Sequence, residues 1–184
     1  MNFDVDTYIV LGLPTDVARE VLSLRRHLNH FYETIPAEIT IAGSSGVGTV
    51  SQDQDSQEFV EMLERIAAVT PPIEMKFKGV GSFPNSGVFF LEPSDQSPFR
   101  SLHQRLVNSG LKFRFSPFPY FAHCSIMNDS TMSVRNREAI LTLDFPKSVF
   151  TLRDLRVYSL AGADCRLLHE TMLSGGRNST RDEG

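Results

Sequence analysis

Pro119-Tyr120-Phe121-Ala122-His123-Cys124-Ser125-Ile126-Met127 is an apolar run that carries one imidazole and one hydroxyl two residues apart. Read as a β-strand, it alternates its side chains between faces, so His123 and Ser125 share one face and Cys124 and Ile126 the other. The first face is open to chemistry and the second belongs to a core. Ile35-Pro36-Ala37-Glu38-Ile39-Thr40-Ile41-Ala42 has the same form: a proline, then an ionisable residue, an apolar one, a hydroxyl residue and an isoleucine. Glu38-Ile39-Thr40-Ile41 is thus the counterpart of His123-Cys124-Ser125-Ile126, a weak internal repeat.

The flanking elements predict a mixed α/β domain. Thr7 to Leu13 is rich in β-branched and aromatic residues and ends at Pro14, which predicts a strand. Thr15 or Asp16 supplies an N-cap, and Val17, Val21, Leu22, Leu24 and Leu28 carry helical periodicity to about Phe31. Glu38 to Ala42 is the second strand. Gly43 to Gln57 is small and polar throughout, the composition of a mobile surface loop, and no Gly-Lys-Ser/Thr makes Gly43, Gly46 and Gly48 a phosphate cradle. Its place after the Glu38/Thr40 strand makes it a candidate lid over a cleft. Ser56 caps a helix that buries Phe59, Met62, Leu63, Ile66 and Ala67 and ends at Pro71-Pro72.

Ile73 to Val80 and Gly87 to Leu91 read as two antiparallel strands, Pro98 to Ser109 as a helix stopped by Gly110, and Ser133 to Leu143 as a short helix. Thr151 to Leu160 and Arg166 to Leu173 are closing strands. They complete one domain over residues 1–174, and the tail 175–184 has too few apolar residues to order itself.

The chain has 184 residues, 41% apolar and 22% charged, which suits one globular domain. Its net charge of −4 argues against coating duplex DNA through a broad basic surface, but leaves room for a nucleotide or an RNA end in a cleft. No apolar run reaches the roughly 20 residues of a membrane span, and the start lacks the pattern of a secretory signal, so a cytoplasmic protein without membrane contact is expected. Cys124 and Cys165 form no disulfide framework and no zinc spacing, and their apolar settings predict two buried thiols.

The two motifs carry a resemblance. The chain is similar to the two-histidine (2H) phosphoesterases, the superfamily of RNA ligase-like and cyclic nucleotide phosphodiesterase proteins, which have two His-x-Thr/Ser-apolar motifs, one per lobe. Phe77-Lys78-Gly79-Val80-Gly81-Ser82-Phe83, Leu155-Arg156-Val157-Tyr158-Ser159-Leu160 and the order of elements extend the likeness over residues 7 to 173. The second motif is intact; in the first, Glu38 stands where the family has histidine. The resemblance implies an α/β (α+β) fold of two pseudo-symmetric lobes, with two antiparallel sheets lining a central cleft and helices outside. It also implies a monomer that cleaves a cyclic phosphate or a 2′-5′-linked nucleotide or RNA end, with no metal and no organic cofactor. His123 would then be an acid or base, Thr40 and Ser125 would hold phosphoryl oxygens, and Glu38 would take the missing imidazole's place.

A carboxylate can act as base, or as acid once burial raises its pKa, yet an ionised one repels phosphate. The alternative is therefore a 2H fold that binds a nucleotide or RNA end without turnover. His27 and His30, three apart on the first helix, read as solvated. His103, on a helix face expected to be exposed beside Arg100, Gln104 and Arg105, and His169, in the last strand, read as structural. Lys112-Phe113-Arg114-Phe115 and Lys76-Phe77-Lys78 alternate charge and ring, which could hold phosphate and stack a base but more simply describes strands with one wet face. Tyr120 stands close enough to the motif for its ring to touch a nucleobase, whereas Phe121 reads as core.

Overall fold

The computed structural model describes residues 1–28, 35–129, 131, 134–162 and 164–175. In chain order the elements are β1 (Asp6–Gly12), α1 (Thr15–Leu28), β2 (Glu38–Ala42), α2 (Ser56–Val69), β3 (Ile73–Met75), β4 (Phe77–Ser82), β5 (Val88–Pro93), α3 (Ser97–Val107), β6 (Cys124–Asn128), α4 (Val134–Leu141), β7 (Phe150–Leu152), β8 (Asp154–Ala161) and β9 (Asp164–Met172). The expected extension of the first helix to Phe31, the start of the short helix at Ser133 and the tail beyond Gly175 lie outside the described residues.

The pairings are antiparallel: a four-stranded sheet in the order β2-β1-β8-β9, a three-stranded sheet β4-β5-β6 and a ribbon β3-β7. Antiparallel sheets allow one face to pack and one to stay wet, and the strands alternate accordingly. In β8, Leu155, Val157 and Ser159 are buried while Arg156, Tyr158 and Leu160 are half-buried on the other face. The two motif strands fall in different sheets. Two strand-helix-strand units, β1-α1-β2 and β5-α3-β6, are joined reciprocally: α1 packs against β6, and α3 packs against β2. Each helix thereby braces the motif strand of the other unit.

Two predicted strands are each divided by the partner they follow. Ile73 to Val80 breaks at Lys76, whose carbonyl accepts the Ser94 N–H at 2.9 Å, so that β3 pairs with β7 and β4 with β5. Thr151 to Leu160 breaks at Arg153, whose carbonyl accepts the Leu173 N–H at 2.8 Å. The cap of α2 is Asp55 rather than Ser56, because Asp55 Oδ1 accepts the N–H groups of Gln57 and Glu58, both at 2.9 Å.

Gly43 to Gln57 is not a free lid. Gly46 N–H donates to the Phe118 carbonyl, Val50 N–H to Thr7 and Ser51 N–H to Lys112, while Thr49 accepts from Arg114 N–H at 2.7 Å. Val50 is fully buried. Small polar composition resembles that of a mobile loop, but these residues are small because another backbone lies against them. Gly48 has φ +94°, and a Cβ there would stand 1.7 Å from the Arg114 carbonyl oxygen. Gly48→Ala is expected to lose about 2 kcal/mol or more, whereas Gly110→Ala, with φ +81° but open space around it, should lose about 1 kcal/mol. Denaturant titration of both variants checks this, and equal losses would mean that the close approach costs nothing. Among the described residues no helix is long and apolar enough to cross a membrane.

Candidate active site

The alternation read from the His123 stretch holds in three dimensions. Ala122, Cys124 and Ile126 are fully buried, while His123 and Ser125 are half-buried on the opposite face. In β2, Ile39 and Ile41 are buried and Glu38 and Thr40 are half-buried. Glu38, Thr40 and Ser125 line one cavity of about 250 Å³, together with Tyr8, Arg25, Ser44, Tyr158 and Cys165. Strands from separate sheets thus bring three of the four motif side chains to a common space.

His123 stands beside that space rather than among its lining residues. Its ring is set against Phe83 and Phe90, at centroid distances of 5.1 and 5.2 Å, with Phe121 beyond at 6.5 Å. Nδ1 lies 2.7 Å from the Phe121 carbonyl, which accepts only a proton, so the neutral ring carries its hydrogen there and leaves Nε2 as the basic atom. Burial lowers the His123 pKa and the carbonyl contact opposes it. Gln96 fixes the backbone one residue earlier by donating to the Ala122 carbonyl at 2.9 Å and accepting the Ala122 N–H at 3.0 Å.

Glu38 is the most perturbed member of the set. Oε2 is enclosed and has no hydrogen-bond partner, although other parts of the side chain keep some access. Desolvation pushes its pKa up to about 8 against the opposing pull of Arg25 and Arg156. At neutral pH it is therefore a protonated acid, which removes the expected repulsion of phosphate. Arg156 lies across Gly12, where a Cβ would meet Nη1 at 2.3 Å, and is held by Asp154 at 3.0 Å and Glu170 at 3.3 Å.

Several residues read as bland in the sequence tie the two motif strands together. Arg25 is 2% exposed rather than part of a solvated helix face. Its Nη1 donates to the carbonyls of Ile35 and Pro36 at 2.6 and 3.1 Å, just before β2, and its Nε and Nη2 donate to the Ser125 carbonyl at 3.0 and 2.7 Å. His103, expected on an exposed face, is 8% exposed: Nδ1 lies 2.7 Å from the Ile41 carbonyl and the ring stacks on Tyr120 at 3.9 Å. Tyr120 in turn donates to the Thr40 carbonyl at 3.3 Å, so its ring is held in the scaffold. The signal for both side chains was spacing. Arg25 continues the Val17, Val21 stripe of α1, and His103 sits among Phe99, Leu102 and Leu106 of α3.

His27 is exposed, with Nδ1 2.7 Å from the Ser23 carbonyl, and His30 lies outside the described residues. His169 is held in β9 with Nε2 3.8 Å from Glu64. Lys112 and Arg114 pair with Asp53 and Asp6, and Lys78 pairs with Glu92. Cys124 is buried as expected, but Cys165 is half-buried and lines the cavity; burial raises both thiols, Cys165 to about 11, so neither is a thiolate. Among the described residues no group of three His, Cys, Asp or Glu side chains is placed to hold a metal ion.

The model of the 2′-5′ RNA ligase superfamily matches residues 13–164. A "Putative phosphoesterase" of Geobacillus thermodenitrificans is 31% identical over 108 residues, 58% of this chain and 60% of that protein, and one of Geobacillus kaustophilus is 29% identical over 122 residues, 66% and 68% respectively. The chain thus matches about three fifths of the length of the first of these relatives. Among solved structures, Escherichia coli LigT complexed with 3′-AMP superposes with a TM-score of 0.62 at 16% identity, over 92% of this chain and 98% of LigT. The protein TT0787 of Thermus thermophilus gives 0.62 at 14% identity, over 93% and 99%. At these identities the structural likeness concerns the fold: a bilobal α/β architecture with antiparallel sheets.

Proposed function

We propose a phosphodiesterase function for this chain, which belongs to the 2′-5′ RNA ligase superfamily of 2H phosphoesterases, with Glu38 as general acid and His123 as general base. The substrate is a cyclic phosphate or a 2′-5′-linked nucleotide or RNA end, and the step needs no metal. The observation that carries this reading is the Glu38 carboxyl, enclosed and unpartnered at Oε2 and raised by desolvation to a pKa of about 8, on a residue that lines the same cavity as Thr40 and Ser125.

Two titratable groups pushed to opposite sides of neutrality divide the roles of acid and base. His123 Nε2 takes a proton from water as the water oxygen bonds to phosphorus. Glu38 gives its proton to the departing ribose oxygen as the phosphorus–oxygen bond breaks. The Thr40 and Ser125 hydroxyls donate to phosphoryl oxygens, and the Arg25 cation supports the charge that builds up on them. The solved structures of LigT with 3′-AMP and with ATP support a nucleotide as the ligand class for this fold.

Turnover should follow a bell in pH. It rises as His123 loses its proton, below the usual histidine range, and falls as Glu38 ionises near pH 8. The test is hydrolysis of 2′,3′-cyclic nucleotides, ADP-ribose 1″,2″-cyclic phosphate and 2′-5′ oligonucleotides in EDTA between pH 5 and 9.5. No turnover of any of them, with binding retained, would instead favour a domain that binds a nucleotide without cleaving it. The placement of His123 beside the cavity, rather than in its lining, is the observation on that side.

A further inference from the structure

We propose that α3 sets the spacing between the two proton-handling groups, with Gln96 and His103 as its positioning residues: Gln96 holds His123, and His103 holds the strand of Glu38 and Thr40. This rests on the phosphodiesterase reading of the same cleft, and neither residue lines the cavity.

Gln96 occupies the N-cap position of α3, yet its side chain makes no bond to its own helix. Asp95 instead accepts the Ser97 N–H at 2.8 Å, and Pro98 has no N–H to satisfy. The Gln96 amide reaches Ala122, where Nε2 donates to the carbonyl and Oε1 accepts the N–H. A backbone N–H only donates and a carbonyl only accepts, so these contacts fix which end of the amide faces which group. β6 begins at Cys124, paired with Leu91, so His123 stands just ahead of the ladder. For the fully buried Ala122, Gln96 takes the place of a pairing strand.

The link to His123 runs through one peptide unit. The Ala122 N–H and the Phe121 carbonyl, which accepts His123 Nδ1–H, belong to the same trans amide and point in opposite directions. Gln96 and the imidazole therefore pull on one rigid plane from its two sides, and each bond polarises the other. The bond to the Ala122 carbonyl fixes the next plane, which ends at the His123 nitrogen. The tautomer that leaves Nε2 to act thus depends on an amide that never meets the substrate.

His103 lies seven residues on, two helical turns or about 10 Å along the same face. Its Nδ1–H donates to the Ile41 carbonyl, and its ring stacks on Tyr120, which donates to the Thr40 carbonyl. Two successive carbonyls of β2 are held in this way. Gly46, with φ +70°, closes over the ring, since a Cβ there would lie 2.3 Å from His103 Cε1. Between the two contact points Phe99 and Leu102 are fully buried, so the rod is anchored in the core.

The test combines hydrolysis of a 2′,3′-cyclic nucleotide in EDTA with nitrogen NMR of the His123 imidazole. Wild type should hold the neutral ring in the single Nδ1–H tautomer. Gln96→Met keeps the volume but neither bond; it should show both tautomers and lose about 10- to 100-fold in kcat, with KM within about twofold. Gln96→Glu keeps an acceptor for the Ala122 N–H, and should keep the single tautomer and recover part of the rate. His103→Phe keeps a ring against Tyr120 but no donor to Ile41, and should lose about 10-fold in kcat with the His123 tautomer unchanged. A rod detached at either end no longer sets a distance, so Gln96→Met with His103→Phe should lose less than the product of the single losses.

Two tautomers in wild type, or a single tautomer and unchanged kcat in Gln96→Met, overturns the proposal, as does a double-variant loss equal to the product. No turnover by wild type, with a single tautomer that Gln96→Met loses, overturns the phosphodiesterase reading and leaves the hold on His123 standing. The wild-type spectrum decides the matter even if a variant does not fold.

Discussion

Turnover by the Glu38→Gln variant is expected to fall by about 10²- to 10⁴-fold, while its stability at pH 8.5 rises above that of wild type. A glutamine keeps the shape of the side chain but has no proton to give a leaving oxygen. The rise in stability follows from linkage. Folding raises the Glu38 pKa from the usual carboxylate value to about 8, so the folded state holds a proton that the unfolded state releases. The stability that this proton brings is fully present below about pH 4.5 and is lost as pH climbs to about 8, after which it changes no further.

The loss is on the order of a few kcal/mol, because an enclosed oxygen without a hydrogen-bond donor must then carry charge. Glutamine never ionises and should escape it. Thermal melts from pH 5 to 9 should show wild type losing stability relative to Glu38→Gln as pH climbs toward 8, the contributions of the histidines being common to both. Parallel curves would mean that Glu38 titrates normally and is not the acid. Glu38→His restores the family pair, and should keep turnover while moving the alkaline limb of the bell to lower pH.

The alternation of the motif strands was legible because it rests on a local rule. A period of two divides His123 and Ser125 from Cys124 and Ile126, and Glu38 and Thr40 from Ile39 and Ile41, whatever surrounds them. The match between the two stretches carried the resemblance to the 2H phosphoesterases, and it was that resemblance which implied a two-lobed α/β fold. What joins the stretches was not legible, since the partners of Arg25, His103 and Gln96 are mostly backbone groups, which every residue possesses. Arg25 and Ser125 are 100 residues apart, and nothing in the composition of either segment marks the contact. The Gly43 to Gln57 segment was misread for a related reason: glycines required by a close backbone approach look the same in sequence as glycines of a mobile loop.

Arg25→Ala is expected to cost about 3–5 kcal/mol, the range for removing one partner from a buried charged network, and to lower the melting temperature by roughly 10 °C. The guanidinium is the group through which the approach to β2 and the carbonyl of Ser125 are bound to one rigid fork. Its removal leaves the carbonyls of Ile35, Pro36 and Ser125 without that donor, and opens a void behind the cavity. Arg25→Lys should recover little, because an ammonium is a single point and cannot donate to both sides at once in the planar geometry that these carbonyls require. In the Lys variant, stability loss should come with weaker phosphate binding, as Glu38, Thr40 and Ser125 lose their fixed separation. A denaturant titration in which Arg25→Lys matches wild type would show that charge alone suffices there. A loss below about 1 kcal/mol in Arg25→Ala would show that the two lobes are held together by the α1–β6 and α3–β2 packing instead.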